Sequence, residues 1–380
     1  MAPPPELISD AVAEVLLRLP PDDPAGLLRA SAVCKSWLRA LTEPAFVRRY
    51  RDFNGTPLVL GFLHNPVNRR LARFVPTTAF RPPAAADHRT SVVLDCRHGR
   101  ALLYDYRSSE FVVWDPVTGR ERRMPEDVPD RYTNHVVLCA AGAGCDHSAC
   151  SGGAFLMASA GVHVMDLVQA DARLYSSETG VRRGPDGIYL DYNYGQFDEG
   201  CPYSLEADRP GVLVGGTLYF VCQSGALLRY GFLGKQSLSL IKPPPGKFHG
   251  RGTIVTRAEN GGLGLATLGR DVLHLWSTET GFRGGVKWVK MNDIHLQKLM
   301  PFKSPALLIG STEDTNVVFV TSDDHGIFTI ELKSLLMKKE CEMGEVDDVF
   351  PYVCFYTPAG LVLEARCQHL WVLSDLRQII

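Results

Sequence analysis

The chain has 380 residues, 45% of them hydrophobic and 22% charged, which excludes a disordered chain and on length alone allows two or three domains. Its 40 basic and 42 acidic residues leave a formal net charge of -2, so no basic field marks it for a phosphate backbone or an anionic membrane. No basic segment precedes the first apolar run, no stretch nears the ~18 uninterrupted apolar residues of a membrane span, and ten scattered cysteines fit reduced thiols, which together predict a soluble protein of cytoplasm or nucleus.

Residues 7–50 are written with a helical period. Ile8, Val12, Val15, Leu16 and Leu19 fall on one stripe of a helix, with Ser9 or Asp10 as N-cap and Pro20-Pro21 as its stop. Asp22-Asp23-Pro24 opens a second helix carrying Leu27 and Leu28, an acidic cap followed by a proline whose missing N–H costs nothing in the first turn. A break near Ser31 separates it from the row Val33, Trp37, Leu41, which Glu43-Pro44 ends, and Phe46 and Tyr50 pair on a last short helix. So small a unit buries too little surface to be stable alone, so its outward Leu, Val and Trp side chains call for a partner. The competing reading packs these helices on the rest of the same chain.

From about Gly55 the pattern changes to short runs of Val, Leu, Phe and Tyr between turn clusters, which predicts an all-β region. A paired motif recurs: Leu102-Leu103-Tyr104 with Val112-Val113-Trp114, Phe155-Leu156-Met157 with Leu174-Tyr175, and Leu218-Tyr219-Phe220 with Leu228-Arg229-Tyr230. Further copies are Leu263-Gly264-Leu265 with Leu275-Trp276, Val318-Phe319-Val320 with Ile327-Phe328, and Leu361-Val362-Leu363 with Leu370-Trp371. An irregular period of about forty to fifty residues with four strands per unit predicts a β-propeller. Six copies give six blades, or seven if Leu58-Val59-Leu60-Gly61-Phe62 completes another rather than closing the last; a double-sheet sandwich is the alternative. The fold class is therefore a small N-terminal helical unit at residues 4–52 followed by a large all-β domain at residues 55–380. The loop after Arg81 and the stretch 182–210 are expected as rim connections.

With these elements in place, residues 7–50 resemble an F-box, with three helices expected. The likeness rests on the Pro-Glu-Leu-Ile opening at residues 5–8, Arg18-Leu19-Pro20, the Asp-Asp-Pro start and Val33-Cys34-Lys35-Ser36-Trp37. The remainder is similar to the C-terminal half of plant F-box proteins, a large grass group above all, through Val113-Trp114-Asp115-Pro116-Val117-Thr118-Gly119 and Phe350-Pro351-Tyr352. The resemblance implies a non-enzymatic substrate receptor of an SCF-type cullin–RING ubiquitin ligase, docking on a Skp-type adaptor and, through it, on cullin and RING subunits. Adaptor-facing residues are then drawn from Leu7, Ile8, Val15, Leu16, Leu19, Pro20, Leu27, Leu28, Val33, Cys34 and Trp37. One departure stands out: Pro24-Ala25-Gly26 intervenes where the family often has two apolar residues directly after the acidic pair. The alternatives are a propeller hydrolase or sugar binder with an appended helical module, and an F-box scaffold acting outside a ligase.

Cys139, Cys145, His147 and Cys150 offer three thiols and an imidazole within twelve residues, enough for a tetrahedral zinc shell, but their spacing is irregular and a loop of reduced thiols is favoured; neither metal nor cofactor is expected. Asp323-Asp324-His325 and Glu345-Val346-Asp347-Asp348 read as solvated acidic turns. No nucleophile elbow or phosphate loop occurs. Tyr189, Tyr192, Tyr194 and Phe197 form an aromatic-rich loop that is the candidate contact for a target protein, with a folded rim loop as the alternative.

Overall fold

The structure, a computed structural model, describes residues 9–354 apart from 22, 55–57, 67–71, 79, 83–87, 89, 126–132, 142–144, 146, 148–149, 151, 165–166, 191–200, 207–208, 247–249, 281–284, 300–304, 313–315, 323–325 and 343–345. It begins with helices α1 (Ser9–Leu17), α2 (Pro24–Val33), α3 (Lys35–Thr42) and α4 (Pro44–Asn54), the four segments the apolar spacing marks, against the three helices taken for the F-box as a whole. Asp23 caps α2: its carboxylate accepts the Gly26 N–H at 3.0 Å, with Pro24 in the first turn. The expected break near Ser31 falls instead at Cys34, whose extended backbone (φ -163°, ψ 165°) divides α2 from α3. Val12, Leu16, Leu17, Leu27, Leu41 and Phe46 fill the space between the helices, and Tyr50 donates its hydroxyl to the Leu19 carbonyl at 2.9 Å, satisfying a group left over where α1 ends.

Strands follow in chain order. β1 (Leu58–Pro66) and β2 (Arg73–Pro76) pair antiparallel. Then come four-stranded meanders: β3 (Ser91–Arg97), β4 (Arg100–Asp105), β5 (Glu110–Trp114) and β6 (Glu121–Pro125); then β7 (Thr133–Cys139), β8 (Phe155–Val164), β9 (Val168–Ser176) and β10 (Arg182–Arg183), with β11 (Ile188–Leu190) also on β9. The next is β12 (Val212–Val214), β13 (Thr217–Val221), β14 (Leu227–Gly231) and β15 (Ser237–Ile241). After it come β16 (Thr253–Arg257), β17 (Leu263–Gly269), β18 (Val272–Thr280) and β19 (Val286–His295), and then β20 (Leu307–Ser311), β21 (Val317–Ser322), β22 (Gly326–Glu331) and β23 (Met337–Cys341). Last, β24 (Val346–Cys354) returns to β1, pairing Leu58 with Cys354 and Leu63 with Phe350. Six sheets result, and they form a six-bladed propeller.

The five inner copies of the repeated motif are the second and third strands of their sheets, with registers such as Ala101 opposite Trp114 and Leu218 opposite Tyr230. The sixth copy, at residues 361–371, lies outside the described residues; the sixth described sheet is built from β1, β2 and β24 instead. First strands meet around a central channel: β24 lies against β3 and β20, β3 against β7, and β16 against β12 and β20. Between the sheets the apolar faces close on one another, as where Val136, Ala158 and Ala170 meet Phe220, Leu228 and Tyr230. Each such fully buried large side chain contributes roughly 1.5–3 kcal/mol.

The Asp115 turn shows why the Trp-Asp-Pro motif is there. Its carboxylate accepts the N–H groups of Val117 and Thr118, and Gly119 takes the left-handed φ of 73° that closes the loop onto β6. Because β1 opens opposite the last residue of β24, the helices join the ring on the side where first strands end. There Arg51 of α4, itself buried, lines one mouth of the channel together with Cys354. Among the described residues no helix is long and apolar enough to cross a membrane.

Candidate functional site

The helical unit divides its apolar residues between an interior and a surface. Leu16 and Leu27, expected to face a partner, are 0% and 1% exposed and belong to the core. Their burial follows from α1 and α2 packing against α3 and α4, which turns that stripe inward. Val15 (54% exposed) and Val33 (63%) point out, Cys34 and Pro20 are exposed, and Leu19 and Trp37 are half-buried. Val33 ends α2 and Trp37 lies in the first turn of α3, with the extended Cys34 between them. Leu28 lies on α2, while Leu7 and Ile8 lie outside the described residues.

The channel wall sets charged side chains among apolar ones. It encloses a cavity of about 600 Å³ lined by first-strand residues of several blades. Asp95 on β3 is fully buried and accepts Arg97 Nε at 2.8 Å, Arg97 Nη2 at 2.9 Å and the Val137 N–H at 2.7 Å. Burial pushes its carboxyl up, against the pull of Arg97. Arg97 reaches on to the Gly211 carbonyl across the ring. Arg209, in the segment expected to be a rim connection, enters the interior and uses all five of its N–H groups. They go to Asp348 Oδ1 (3.0 Å) and to the carbonyls of Gly250 (3.2 Å), Arg251 (2.7 Å), Thr253 (2.7 Å) and Leu308 (2.6 Å). Asp348, read as part of a solvated acidic turn, is thus an internal partner; Asp323 to His325 lie outside the described residues.

At the helix-side mouth the connection between β7 and β8 gathers Cys139, Cys145, His147 and Cys150. One ligand atom from each lies within 4.8 Å of all the others. Cys150 Sγ is 3.7 Å from His147 Nδ1, and the Ala141 N–H donates to Cys139 Sγ at 3.4 Å. The His147 ring stacks on His98 with centroids 3.6 Å apart. His98 is in place because His98 and Gly99 take φ of 52° and 71°, the two-residue turn that joins β3 to β4. Arg100 beneath it donates to the Cys150, Gly153 and Ala154 carbonyls. Every cysteine among the described residues is a thiol.

Residues 5–49 match the F-box domain family. The N-terminal helices are an F-box domain. A search of curated proteins gave no match. Among solved structures, similar chains occur in a mitotic checkpoint complex (13% identity, 68% of this chain and 67% of that one, TM-score 0.32) and in Sqt1 of Saccharomyces cerevisiae (11%, 69% and 62%, 0.34). Another is apo AztD from Citrobacter koseri (10%, 77% and 98%, 0.35).

The F-box therefore exposes Val15, Pro20, Val33 and Cys34, while Leu19 and Trp37 are half-buried against its own core. On the far side of the ring, Tyr189 of β11 is 69% exposed and pairs with Gln169, next to the exposed Val164 and Leu167 of the β8–β9 turn. Tyr192, Tyr194 and Phe197 lie outside the described residues. His135 faces Ser159 across the β7–β8 ladder at 2.8 Å. Burial lowers its pKa to about 3, and the Phe111 ring packs on it at 4.6 Å. The sequence signal for the channel residues was present: Asp95 and Arg97 are charges set two apart in an otherwise apolar strand.

Proposed function

We propose that the chain is a non-enzymatic substrate receptor of an SCF-type cullin–RING ubiquitin ligase, working in cytoplasm or nucleus. The F-box docks on a Skp-type adaptor, and through it on cullin and RING subunits, while the propeller holds the target protein. The observation that carries this reading is the joining of an F-box whose Val15 and Val33 remain outside its own core, with Trp37 half-exposed beside them, to a closed β ring with loops on two faces. A bound adaptor covers those side chains, and the gain in buried apolar area offsets the small size of the helical unit.

The target is assigned to the far face, away from the F-box, where Tyr189, Val164 and Leu167 supply exposed aromatic and aliphatic contacts. The same reading takes in the plant grouping suggested by residues 113–119 and 350–352. The test is retention of a purified Skp-type adaptor on the full chain and on Val33→Asp. Binding by the first and loss by the second supports the reading; a folded full chain that fails to retain the adaptor overturns it.

A further inference from the structure

We propose that Cys139, Cys145, His147 and Cys150 bind one zinc ion in a closed Cys₃His site that fixes the β7–β8 connection at the helix-side mouth of the channel. The geometry argues for it first. Tetrahedral zinc with bonds of about 2.3 Å to sulfur and 2.0–2.1 Å to nitrogen holds its ligand atoms roughly 3.5–3.8 Å apart. The 3.7 Å between Cys150 Sγ and His147 Nδ1 is that separation, and all four ligand atoms stand within 4.8 Å of one another. Three of these residues belong to one connection and the fourth ends a strand, so the chain returns on itself to bring them together.

The surroundings suit a metal–thiolate centre. The Ala141 N–H already donates to Cys139 Sγ, the kind of outer contact that orients a metal ligand and spreads its charge. The buried Arg100 guanidinium faces the sulfurs of Cys139 and Cys150 and holds the carbonyls of residues 150, 153 and 154. Three thiolates around a divalent ion carry a net charge of about -1, and Arg100 supplies the balancing +1 within the same pocket. His147 sits in the left-handed region at φ 53°, a strained backbone for a residue other than glycine, with its ring against Cys150 and His98. Soft thiolates with one imidazole select zinc over calcium or magnesium.

Binding is a proton exchange without redox change. Three Sγ–H bonds break, three Zn–S bonds and one Zn–N bond to neutral His147 form, and three protons leave to solvent. Four protein ligands leave no position for substrate, so the role is structural. Cys145 and His147 line the same cavity as Arg51 and Asp52 of α4, so the metal stiffens the loop that borders the F-box junction.

The full chain, purified under reducing conditions without chelator, is assayed for metal by mass spectrometry and, after exchange, for the cobalt spectrum. The expected result is about one zinc per chain and thiolate-to-cobalt charge transfer with tetrahedral visible bands. The variant Cys145→Ser/Cys150→Ser loses the zinc and the spectrum, while Cys34→Ser, on the F-box surface, keeps both. Where the double variant does not fold, alkylation mapping of the natural chain decides: zinc protects Cys139, Cys145 and Cys150 and leaves Cys34 reactive. A folded natural chain that takes up neither zinc nor cobalt, a double variant that retains stoichiometric zinc, or a zinc-loaded chain whose three thiols alkylate as fast as Cys34 overturns the assignment.

Discussion

Arg209 Nε lies 3.0 Å from Asp348 Oδ1, joining residues 139 positions apart. The pair ties the segment entering β12 to the strand that closes the ring, while the other four N–H groups of Arg209 hold carbonyls of Gly250, Arg251, Thr253 and Leu308. Arg209→Met leaves Asp348 and those carbonyls without this donor and is expected to cost about 3–5 kcal/mol in urea unfolding. Asp348→Asn, which keeps the four carbonyl bonds, costs less. Equal losses would show that the carbonyls do not share the work.

Asp95 and Arg97 form the second buried pair, at 2.8 Å. Arg97→Leu strands a buried carboxylate and is expected to destabilise more than the double variant Asp95→Leu/Arg97→Leu, which removes both charges. A double-mutant cycle with additive losses would sink this account.

The F-box residues separate by what they touch. Leu16→Ala empties a fully buried site and should cost about 2–5 kcal/mol. Val33→Asp lies on the surface and should shift stability by no more than about 0.5 kcal/mol while weakening adaptor binding at least ~30-fold, a loss of about 2 kcal/mol. Asp23→Ala removes the N-cap of α2 and should cost about 1 kcal/mol, read as a lowered melting temperature of the F-box.

Acidification should loosen the propeller. His135 and His64 are buried, with pKa values lowered to about 3 and about 4, burial being the main cause in both. The unfolded chain, titrating near 6.5, binds protons that these side chains refuse in the fold, so stability rises with pH between about 4 and 6.5 and is lost as pH falls through that window. Each histidine adds a slope of up to ~1.4 kcal/mol per pH unit. The raised carboxyl of Asp95 works in the opposite direction. In urea titrations at pH 7 and pH 5, His135→Phe should show a smaller drop than the natural chain; an unchanged drop counts against the assignment.

Much of this architecture is written locally. The aromatic landmarks Trp114, Tyr175, Tyr230, Trp276 and Phe328 mark third strands because a hairpin is a short-range object whose alternation and turn residues lie within a few positions of each other. The closing sheet was less legible, since pairing β1 with β24 depends on ring geometry that no local pattern encodes. Cys139, Cys145, His147 and Cys150 were visible as a constellation within twelve residues, but their irregular spacing spoke against a common site, because loop geometry and not spacing sets the distances between their ligand atoms. Leu16 and Leu27 share helical spacing with Val15 and Val33, and only the angles between helices decide which of them points inward. Arg209 gave no signal at all in a stretch rich in Gly, Asp and Tyr.

The pairing of β1 with β24 also imposes an order on biosynthesis. Residues 58–66 leave the ribosome well before residues 346–354 exist, so the nascent ring carries an unpaired strand edge through five successive sheets. The helices of the F-box can form early from local contacts, while ring closure joins Leu58 to Cys354 and comes last among the described strands. A stop codon upstream of β24 would therefore release a chain with its F-box intact and its ring unsealed, an open-edged species suited to self-association and to capture by chaperones.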